Sequence, residues 1–326
     1  MRREMPMPFT KTGVLRFVPP IVIVLFLIAA PSIFDRVFIS LLSQILIYGL
    51  LAMSLDLIFG YTGMWSFCHA SIFGVAGYTV GILVKYYSVK SFWVLAPAGL
   101  SMAVLTSLIF GFVALRARTV YFLLITFALG QLIYGMTIKF NQVTGGSDGL
   151  PDIPYPDLGL GFSLTSAQMY YFILIIFVIS AFILYRIIRS PFGHSLQGIR
   201  ESENRMRALG YKVWLHRYLA FVISGFFAGV AGILYAHFSG LMTPDSTGFA
   251  ASGLVMIMII VGGSGTLWGA LIGSLVIFVL EFYVSGISTD RWPIVLGACF
   301  VAAVMFARRG LFPVLEKLWN KTTQSW

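Results

Sequence analysis

The sequence has too few charged residues to cover a water-facing surface. Only 10% of its 326 residues are Asp, Glu, Lys or Arg, whereas 59% are hydrophobic and the mean hydropathy is +0.91. Soluble domains contain about 25% charged residues, so a soluble globular fold is excluded. The apolar runs are long and continuous rather than short and alternating, which argues against a membrane β-barrel. We therefore predict an all-α, polytopic membrane protein.

The residues that catalytic and metal sites need are also scarce. The 2 cysteines lie far apart in apolar segments, and the 4 histidines do not have metal-ligand spacing. The sequence contains no Gly-x-x-x-x-Gly-Lys-Ser/Thr motif, so it is not expected to bind ATP through a P-loop. No set of acid, base and nucleophile is visible. We therefore expect no catalytic residue, no metal and no cofactor bound by this chain.

The excess of positive charge lies at the ends of the apolar runs. Lys and Arg number 22 against 12 Asp and Glu, which gives a formal net charge of +10. Basic residues flank the apolar segments near both termini, which is the positive-inside pattern of membrane proteins. We therefore expect contact with membrane lipid, no nucleic-acid partner, and both termini on the cytoplasmic side.

The apolar runs predict a bundle of about 8–10 transmembrane helices, because a helix needs about 20 apolar residues to cross the hydrocarbon. The predicted spans are residues 15–34, 37–60, 64–85, 92–115, 119–140, 166–188, 217–240, 268–285 and 291–307, with a shorter helical piece at 250–262. Together they form one transmembrane domain that covers residues 1–326. Whether the short piece crosses the bilayer stays open.

Two loops of opposite charge predict the orientation of this domain. Residues 186–217 contain seven basic and two acidic residues, so this loop is expected in the cytoplasm. Residues 141–165 contain three aspartates and neither Lys nor Arg, so this loop is expected on the outer side.

The basic loop has the internal order of a helical surface rather than of a plain solvated loop. A Ser-Pro pair can end the preceding span, residues 195–209 are compatible with a helix, and Gly210 can stop it. Glu201 and Arg205 are four positions apart, a spacing that supports an exposed helix. We therefore expect two short amphipathic turns here, which form a knob that fits the cleft of a soluble partner.

Two Gly-rich segments break the pattern of plain spanning helices. Residues 60–77 and 261–273 each have Gly-x-x-Gly before a Trp, followed by a helix with closely spaced small residues. Glycine permits a sharp break, and small residues let helices approach closely. Paired Gly-interrupted segments are typical of transporters built from structural repeats. An internal repeat and a chance similarity both remain open here.

Polar residues at these breaks are candidates for a transport pathway, because polar groups in hydrocarbon are costly. Asp56 precedes the first break by one helical turn, so its carboxylate is expected to hydrogen-bond the broken backbone. His69 either lines a pathway or is a histidine hydrogen-bonded between helices, and we favour the second interpretation. The pathway candidates are Asp56, Gly60, Gly63, Ser66, His69, Ser71, Gly262, Gly263 and Gly265.

Four passages resemble the permease subunits of bacterial branched-chain amino-acid ABC importers, the LivH/LivM family, and in particular its LivM type. They are residues 55–79, 144–154, 189–237 and 261–274. In that family the third passage contains the cytoplasmic loop that couples the permease to its ATPase. The resemblance therefore implies a permease domain with a coupling loop at residues 189–217. The implied coupling residues are Arg200, Glu201, Glu203, Arg205 and Gly210.

The resemblance also implies an assembly in the bacterial cytoplasmic (inner) membrane. The chain would pair with a second, LivH-like permease subunit and with two ATP-binding subunits, and a periplasmic binding protein would deliver the substrate. ATP and Mg would bind to the partner subunits, where hydrolysis would occur. The chain itself is therefore not expected to be an enzyme.

The substrate stays open within this family, which transports branched-chain or other hydrophobic amino acids, urea, short amides and aromatic acids. This chain has Asp56 where members commonly have Asn, and Cys68 where they commonly have Gly. A secondary transporter that works without ATPase subunits is an alternative of another class. The scarcity of buried carboxylates argues against such ion coupling, and co-purification of an ATPase would distinguish the two classes.

Overall fold

The computed structural model describes residues 27–31, 34–117, 120–159, 164–286, 292–306 and 310–313. Over these residues the chain is helical, and its only β-type pairings are two isolated bridges. The main helices are α1 (Arg36–Phe59), α2 (His69–Tyr87), α3 (Phe92–Ala114), α4 (Val120–Lys139), α5 (Ser166–Ile188), α6 (Pro191–Glu201), α7 (Glu203–Ala208), α8 (Val213–Ser239), α9 (Phe249–Gly262), α10 (Leu267–Ser285) and α11 (Trp292–Phe306). Most of the predicted span 15–34 and both termini lie outside the described residues.

Six of these helices, α1, α3, α4, α5, α8 and α10, are long and apolar enough to cross a membrane. Helix α2 has 19 residues and is not among these six. Helices α9 and α11 are shorter and also apolar. The prediction of an all-α, polytopic membrane protein is confirmed.

Helix α1 lies at the centre of the bundle. Every residue from Gly49 to Phe59 is buried, and α1 packs against α5, α8 and α10. A helix that is apolar on all sides belongs in a protein core or in a membrane, and α1 is surrounded by other helices. This position places the end of α1, where the first Gly-rich segment begins, inside the protein rather than at its surface.

Glycines bring neighbouring helices into backbone contact. A Cβ added to Gly232 of α8 would lie 2.0 Å from the carbonyl oxygen of Phe73 in α2, and one added to Gly273 of α10 would lie 1.7 Å from that of Met258 in α9. Neither position has room for a larger residue. The expectation that small residues allow close helix packing is therefore confirmed.

The bundle has two ends that differ in charge. Helix α8 begins at the basic loop and ends at Ser239. Three residues later, the backbone of Met242 pairs with Leu150, which lies in the loop with three aspartates. We call the end that contains residues 189–217 the basic end, and the end that contains residues 141–159 the acidic end. Helices α1 and α9 both finish at the basic end.

The structure corrects two boundaries. The predicted span 64–85 becomes helical only at His69, because residues 60–68 form the break itself. The helix-compatible stretch 195–209 is divided into two short helices, since Ser202 is extended and separates α6 from α7. The Ser202 hydroxyl accepts a hydrogen bond from the backbone N–H of Arg205, which satisfies a free donor of the first turn of α7.

This separation also overturns the predicted pairing within the basic loop. Glu201 ends α6 and Arg205 lies in α7, so they are not neighbours on one helix. The ion pair with this spacing is instead formed by Glu203 and Arg207. Gly210 ends the helical region with φ of +87°, as predicted.

Candidate coupling and pathway site

The first Gly-rich break is a tight turn at the end of α1. The backbone N–H of Met64 donates to the carbonyl oxygen of Ile58 at 2.9 Å, which folds the chain back over the end of the helix. Gly63 has φ of +73°, a conformation that favours glycine. The break predicted from the glycine pattern is therefore present.

The second break separates α9 from α10. Gly263 and Gly265 have φ of +120° and +76°, so the chain reverses between residues 262 and 267. Gly310 approaches this turn closely, since a Cβ added to it would lie 2.2 Å from the Cα of Gly263. Both breaks lie at the basic end of the bundle, because Arg200 of the basic loop reaches Gly60 in the first break and Gly265 in the second.

The two breaks are joined by the carboxylate of Asp56. Its Oδ1 accepts a hydrogen bond of 2.8 Å from the backbone N–H of Gly265, 209 residues further along the chain. The expectation that Asp56 bonds a broken backbone is met, but the backbone belongs to the other break. A Cβ added to Gly60 would lie 2.2 Å from the nitrogen of Gly265, so glycine is required at this crossing.

Asp56 is completely buried, with none of its surface exposed. Its second oxygen, Oδ2, has no hydrogen-bond partner among the described residues. A buried carboxylate is costly unless its environment compensates it, and the arginine described below is close enough to contribute. Asp56 thus holds two chain segments together and does not face an open surface in this conformation.

Arg200 connects the basic loop to both breaks. It lies in the last turn of α6, and its guanidinium donates a hydrogen bond to the carbonyl oxygen of Gly60. A Cβ added to Gly63 would lie 3.2 Å from Cγ of Arg200, and one added to Gly265 would lie 3.1 Å from Nη1. The predicted coupling residue and the predicted pathway glycines therefore form one site.

Tyr61 follows Gly60 in the first break, and its side chain is buried. Burial raises the pKa of Tyr61 to about 12, so the phenol stays protonated at physiological pH.

Glu203 fixes α7 to the start of α8. It accepts a hydrogen bond from Arg217 at 2.9 Å and also pairs with Arg207. These ion pairs are partly exposed and are each worth about 1 kcal/mol or less. Glu203 was predicted to be a coupling residue, and in the structure its carboxylate pairs with two arginines of the same chain.

The remaining coupling candidates lie on the exposed side of the basic loop. Glu201, Arg205 and Gly210 are exposed, and Gly210 lies between Leu209 and Tyr211, which are 68% and 43% exposed. Apolar side chains that protrude at the tip of a charged loop are typical of protein contact surfaces. We call residues 209–211 the tip of the basic loop.

The polar candidates at the start of α2 form buried contacts between helices. His69 Nε2 lies 2.7 Å from the hydroxyl of Ser224 in α8, and His69 Nδ1 lies 3.3 Å from the hydroxyl of Ser66. Ser224 in turn donates to the carbonyl oxygen of Ser54 in α1. All four side chains are buried. This geometry matches a histidine hydrogen-bonded between helices.

Ser71 extends this network toward α4 and α9. Its hydroxyl donates to the carbonyl oxygens of Thr247 at 2.8 Å and Gly130 at 3.3 Å. One residue earlier, the backbone N–H of Ala70 donates to the hydroxyl of Ser252 in α9 at 3.3 Å. The first turn of α2 is therefore attached to α1, α4, α8 and α9.

Sequence reasoning missed Ser54, Ser224 and Ser252. Each is a serine within an apolar helix, and a hydroxyl in hydrocarbon needs a hydrogen-bond partner. That signal shows that a partner exists, but it does not name the partner. Only the packing of the helices identifies it.

Comparison with known proteins places these features in a family. The family model described as "Branched-chain amino acid transport system / permease component" matches residues 37–305. The chain is 27% identical over 310 residues to the high-affinity branched-chain amino acid transport system permease protein LivM of Escherichia coli (strain K12), covering 88% of this chain and 72% of that protein.

Other relatives are the LivH permease protein of Escherichia coli (strain K12), 26% identical over 289 residues, with 83% of this chain and 93% of that protein covered, and the BraD permease protein of Pseudomonas aeruginosa, 23% identical over 289 residues, with 83% and 94% covered. No solved structure gives a significant match. The matched region contains both breaks and the whole basic loop, and the chain belongs to the family of permease components of branched-chain amino acid transport systems.

Proposed function

We propose that this chain is the LivM-type subunit of an ATP-driven importer of branched-chain and other hydrophobic amino acids. The contact of Arg200 with both Gly-rich breaks supports this proposal above all other observations. This contact connects the exposed basic loop directly to the ends of two helices in the bundle. The names of the relatives support the substrate class.

The charge of the two ends supports an orientation. We propose that the basic end is cytoplasmic and that the acidic end faces a periplasmic binding protein, which delivers the amino acid. The tip of the basic loop would contact one of two ATP-binding subunits, which bind ATP and Mg and carry out hydrolysis. A second, LivH-like permease would complete the membrane pore.

The mechanism follows from the contacts at the two breaks. A displacement of α6 by the ATP-binding subunit moves Arg200, which holds the carbonyl oxygen of Gly60. The end of α1 then moves with α6, and Asp56 transmits the movement to Gly265 at the second break. Two helix ends at the cytoplasmic side therefore shift together, which opens or closes the exit of the pathway. In this proposal Asp56 and Arg200 are positioning residues that do not contact the substrate.

The experiment is uptake of labelled leucine, delivered by the periplasmic binding protein, by proteoliposomes that contain the complex of both permeases and the ATP-binding subunits. Arg200→Gln keeps a long polar side chain but removes the guanidinium, so we expect the complex to assemble and hydrolyse ATP while uptake for each ATP hydrolysed falls about tenfold. The matched control is Arg186→Gln, since Arg186 is an exposed arginine at the same end of the bundle. The control is expected to transport like the unmodified complex.

Three outcomes would contradict different parts of this proposal. Leucine uptake by the permease without any ATP-binding subunit would identify a secondary transporter and would exclude the importer. ATP-dependent uptake of urea, an amide or an aromatic acid, without uptake of leucine, would retain the importer and overturn the substrate. Equal uptake in Arg200→Gln and the control would exclude the transmission of movement through Gly60.

A further inference from the structure

A cavity of ≈ 590 Å³ lies at the basic end, beside the coupling contacts. It is enclosed by Trp65 of the first break, by the turn after α3, by the start of α4 and by residues of α7 and α8. The tip residues Leu209 and Gly210 do not line it. The cavity therefore adjoins, but does not include, the tip that we assign to the ATP-binding subunit.

The polar wall of this cavity has an excess of positive charge. Arg116, Arg207 and Arg217 line it together with a single carboxylate, that of Glu203. Glu203 is shared by Arg207 and Arg217, whereas Arg116 forms no ion pair among the described residues and lies over the ring of Phe112 at 4.4 Å. The Nε of Arg217 is buried and has no hydrogen-bond partner in the described part of the chain. Guanidinium groups in excess over carboxylates suit a phosphate group.

The opposite wall is apolar and continues onto the outer surface of α4. Val120 and Phe122 line the cavity, and Val120, Tyr121 and Leu124 are 62%, 72% and 52% exposed. In a helix that crosses a membrane, such exposed apolar side chains contact acyl chains. An occupant of the cavity would therefore meet arginines at one side and an exposed apolar helix face at the other.

Tryptophan side chains mark the depth of this site. Trp65 and Trp214 line the cavity and are 48% and 44% exposed. Tryptophan is enriched where the hydrocarbon meets the headgroups, so the cavity lies at headgroup level. Basic pockets between transmembrane helices at this level bind anionic headgroups.

We propose that this cavity binds the headgroup of an anionic phospholipid, with the acyl chains lying along the exposed face of α4. The phosphodiester would accept hydrogen bonds from Arg116 and Arg217. The lipid would bridge α4, α7 and α8 and would hold α7 close to the first break. This site goes beyond the proposed transport and depends only on the chain crossing a membrane.

The test uses the complete transporter complex, reconstituted in nanodiscs of phosphatidylcholine with increasing fractions of phosphatidylglycerol. The measured quantity is the phosphatidylglycerol retained by the complex after extraction into detergent, determined by native mass spectrometry. The variant is Arg116→Gln with Arg217→Gln. The matched control is Arg186→Gln with Arg189→Gln, which removes the same charge from exposed arginines at the same end. Thermal unfolding in phosphatidylcholine alone checks that each variant is folded.

We expect the unmodified complex to retain phosphatidylglycerol in preference to phosphatidylcholine. Each charge removed from the cavity should weaken this retention about fivefold, and the control should retain the lipid as the unmodified complex does. A similar loss in the control would show non-specific attraction and would overturn the proposal. Competition by inorganic phosphate at low concentration would identify a small-anion site instead of a lipid site. If the cavity variant lost the ATP-binding subunit but retained the lipid, the cavity would be a protein-docking site, and the lipid proposal would also be overturned.

Discussion

At the scale of single residues, one buried carboxylate and one arginine connect the functional segments. Asp56 bonds the backbone of Gly265, and Arg200 bonds the backbone of Gly60. Backbone groups at a helix break have lost their helical partners, so a side chain that pairs with them costs no existing hydrogen bond. The same two side chains therefore stabilise the breaks and connect them.

Replacing Asp56 tests whether its charge or its hydrogen bond matters. Asp56→Asn keeps an acceptor for the N–H of Gly265 and removes a buried charge, so we expect stability and transport close to those of the unmodified protein. Asp56→Ala leaves that buried N–H without a partner, which costs about 1–3 kcal/mol. We expect a lower unfolding temperature and weaker coupling of uptake to ATP hydrolysis.

Thermal unfolding in detergent and leucine uptake in proteoliposomes measure the two effects of these substitutions. If Asp56→Asn were as unstable as Asp56→Ala, the carboxylate charge rather than the hydrogen bond would hold the breaks together. The role of Asp56 as the hydrogen-bond acceptor for the N–H of Gly265 would then not explain the stability of the breaks.

At the scale of elements, the basic loop works as two short helices joined at a cap. Serine interrupts helices because its hydroxyl pairs with nearby backbone N–H groups, and Ser202 does this for α7. With the helices divided at Ser202, α6 contacts Gly60 through Arg200, and α7 is attached to α8 through Glu203.

Substitution of Ser202 tests the cap. Ser202→Ala removes the capping hydroxyl, which costs about 1 kcal/mol of helix stability. We expect the amides of α7 to exchange with deuterium about fivefold faster, measured by mass spectrometry of the complex. Ser202→Asp is the matched control, because aspartate caps helices as well as serine does. Equal exchange in Ser202→Ala and the unmodified protein would show that tertiary contacts alone hold α7.

At the scale of the whole molecule, the two ends of the bundle differ in charge and in what they contain. Both breaks, the contacts of Arg200 and the cavity proposed to bind lipid lie at the basic end, whereas the acidic end contains the paired loops around Leu150 and Met242. The proposed orientation places the first group in the cytoplasm and the second in the periplasm.

Labelling single cysteines tests this orientation. In a background with Cys68→Ser and Cys299→Ser, Leu209→Cys introduces a thiol at the tip and Tyr155→Cys introduces one at the acidic end, where the native side chains are 68% and 38% exposed. A membrane-impermeant maleimide added to intact cells with a permeable outer membrane should label Tyr155→Cys and leave Leu209→Cys unlabelled. Inverted membrane vesicles should give the reverse pattern. Labelling of Leu209→Cys in intact cells would place the basic loop in the periplasm and would exclude coupling to a cytoplasmic ATPase.

Much of the bundle could be predicted from local sequence patterns. Hydropathy located the long spans, and glycine spacing located both breaks. Propensity over residues 195–209 favoured helical structure, but it could not locate the extended Ser202 that divides the stretch into α6 and α7. For Glu203, charge alone could not distinguish a partner-facing side chain from one paired with Arg217.

The sequence by itself determined an all-helical membrane protein, two glycine turns and a basic loop, because hydrophobicity, backbone freedom and charge are properties of neighbouring residues. Only the tertiary structure decided that the two turns touch and that the loop holds them. The bond between Asp56 and Gly265 spans 209 positions of the sequence, and the bond between Arg200 and Gly60 spans 140 positions. Hydrogen bonds over such separations depend on how the helices pack, which no local pattern specifies.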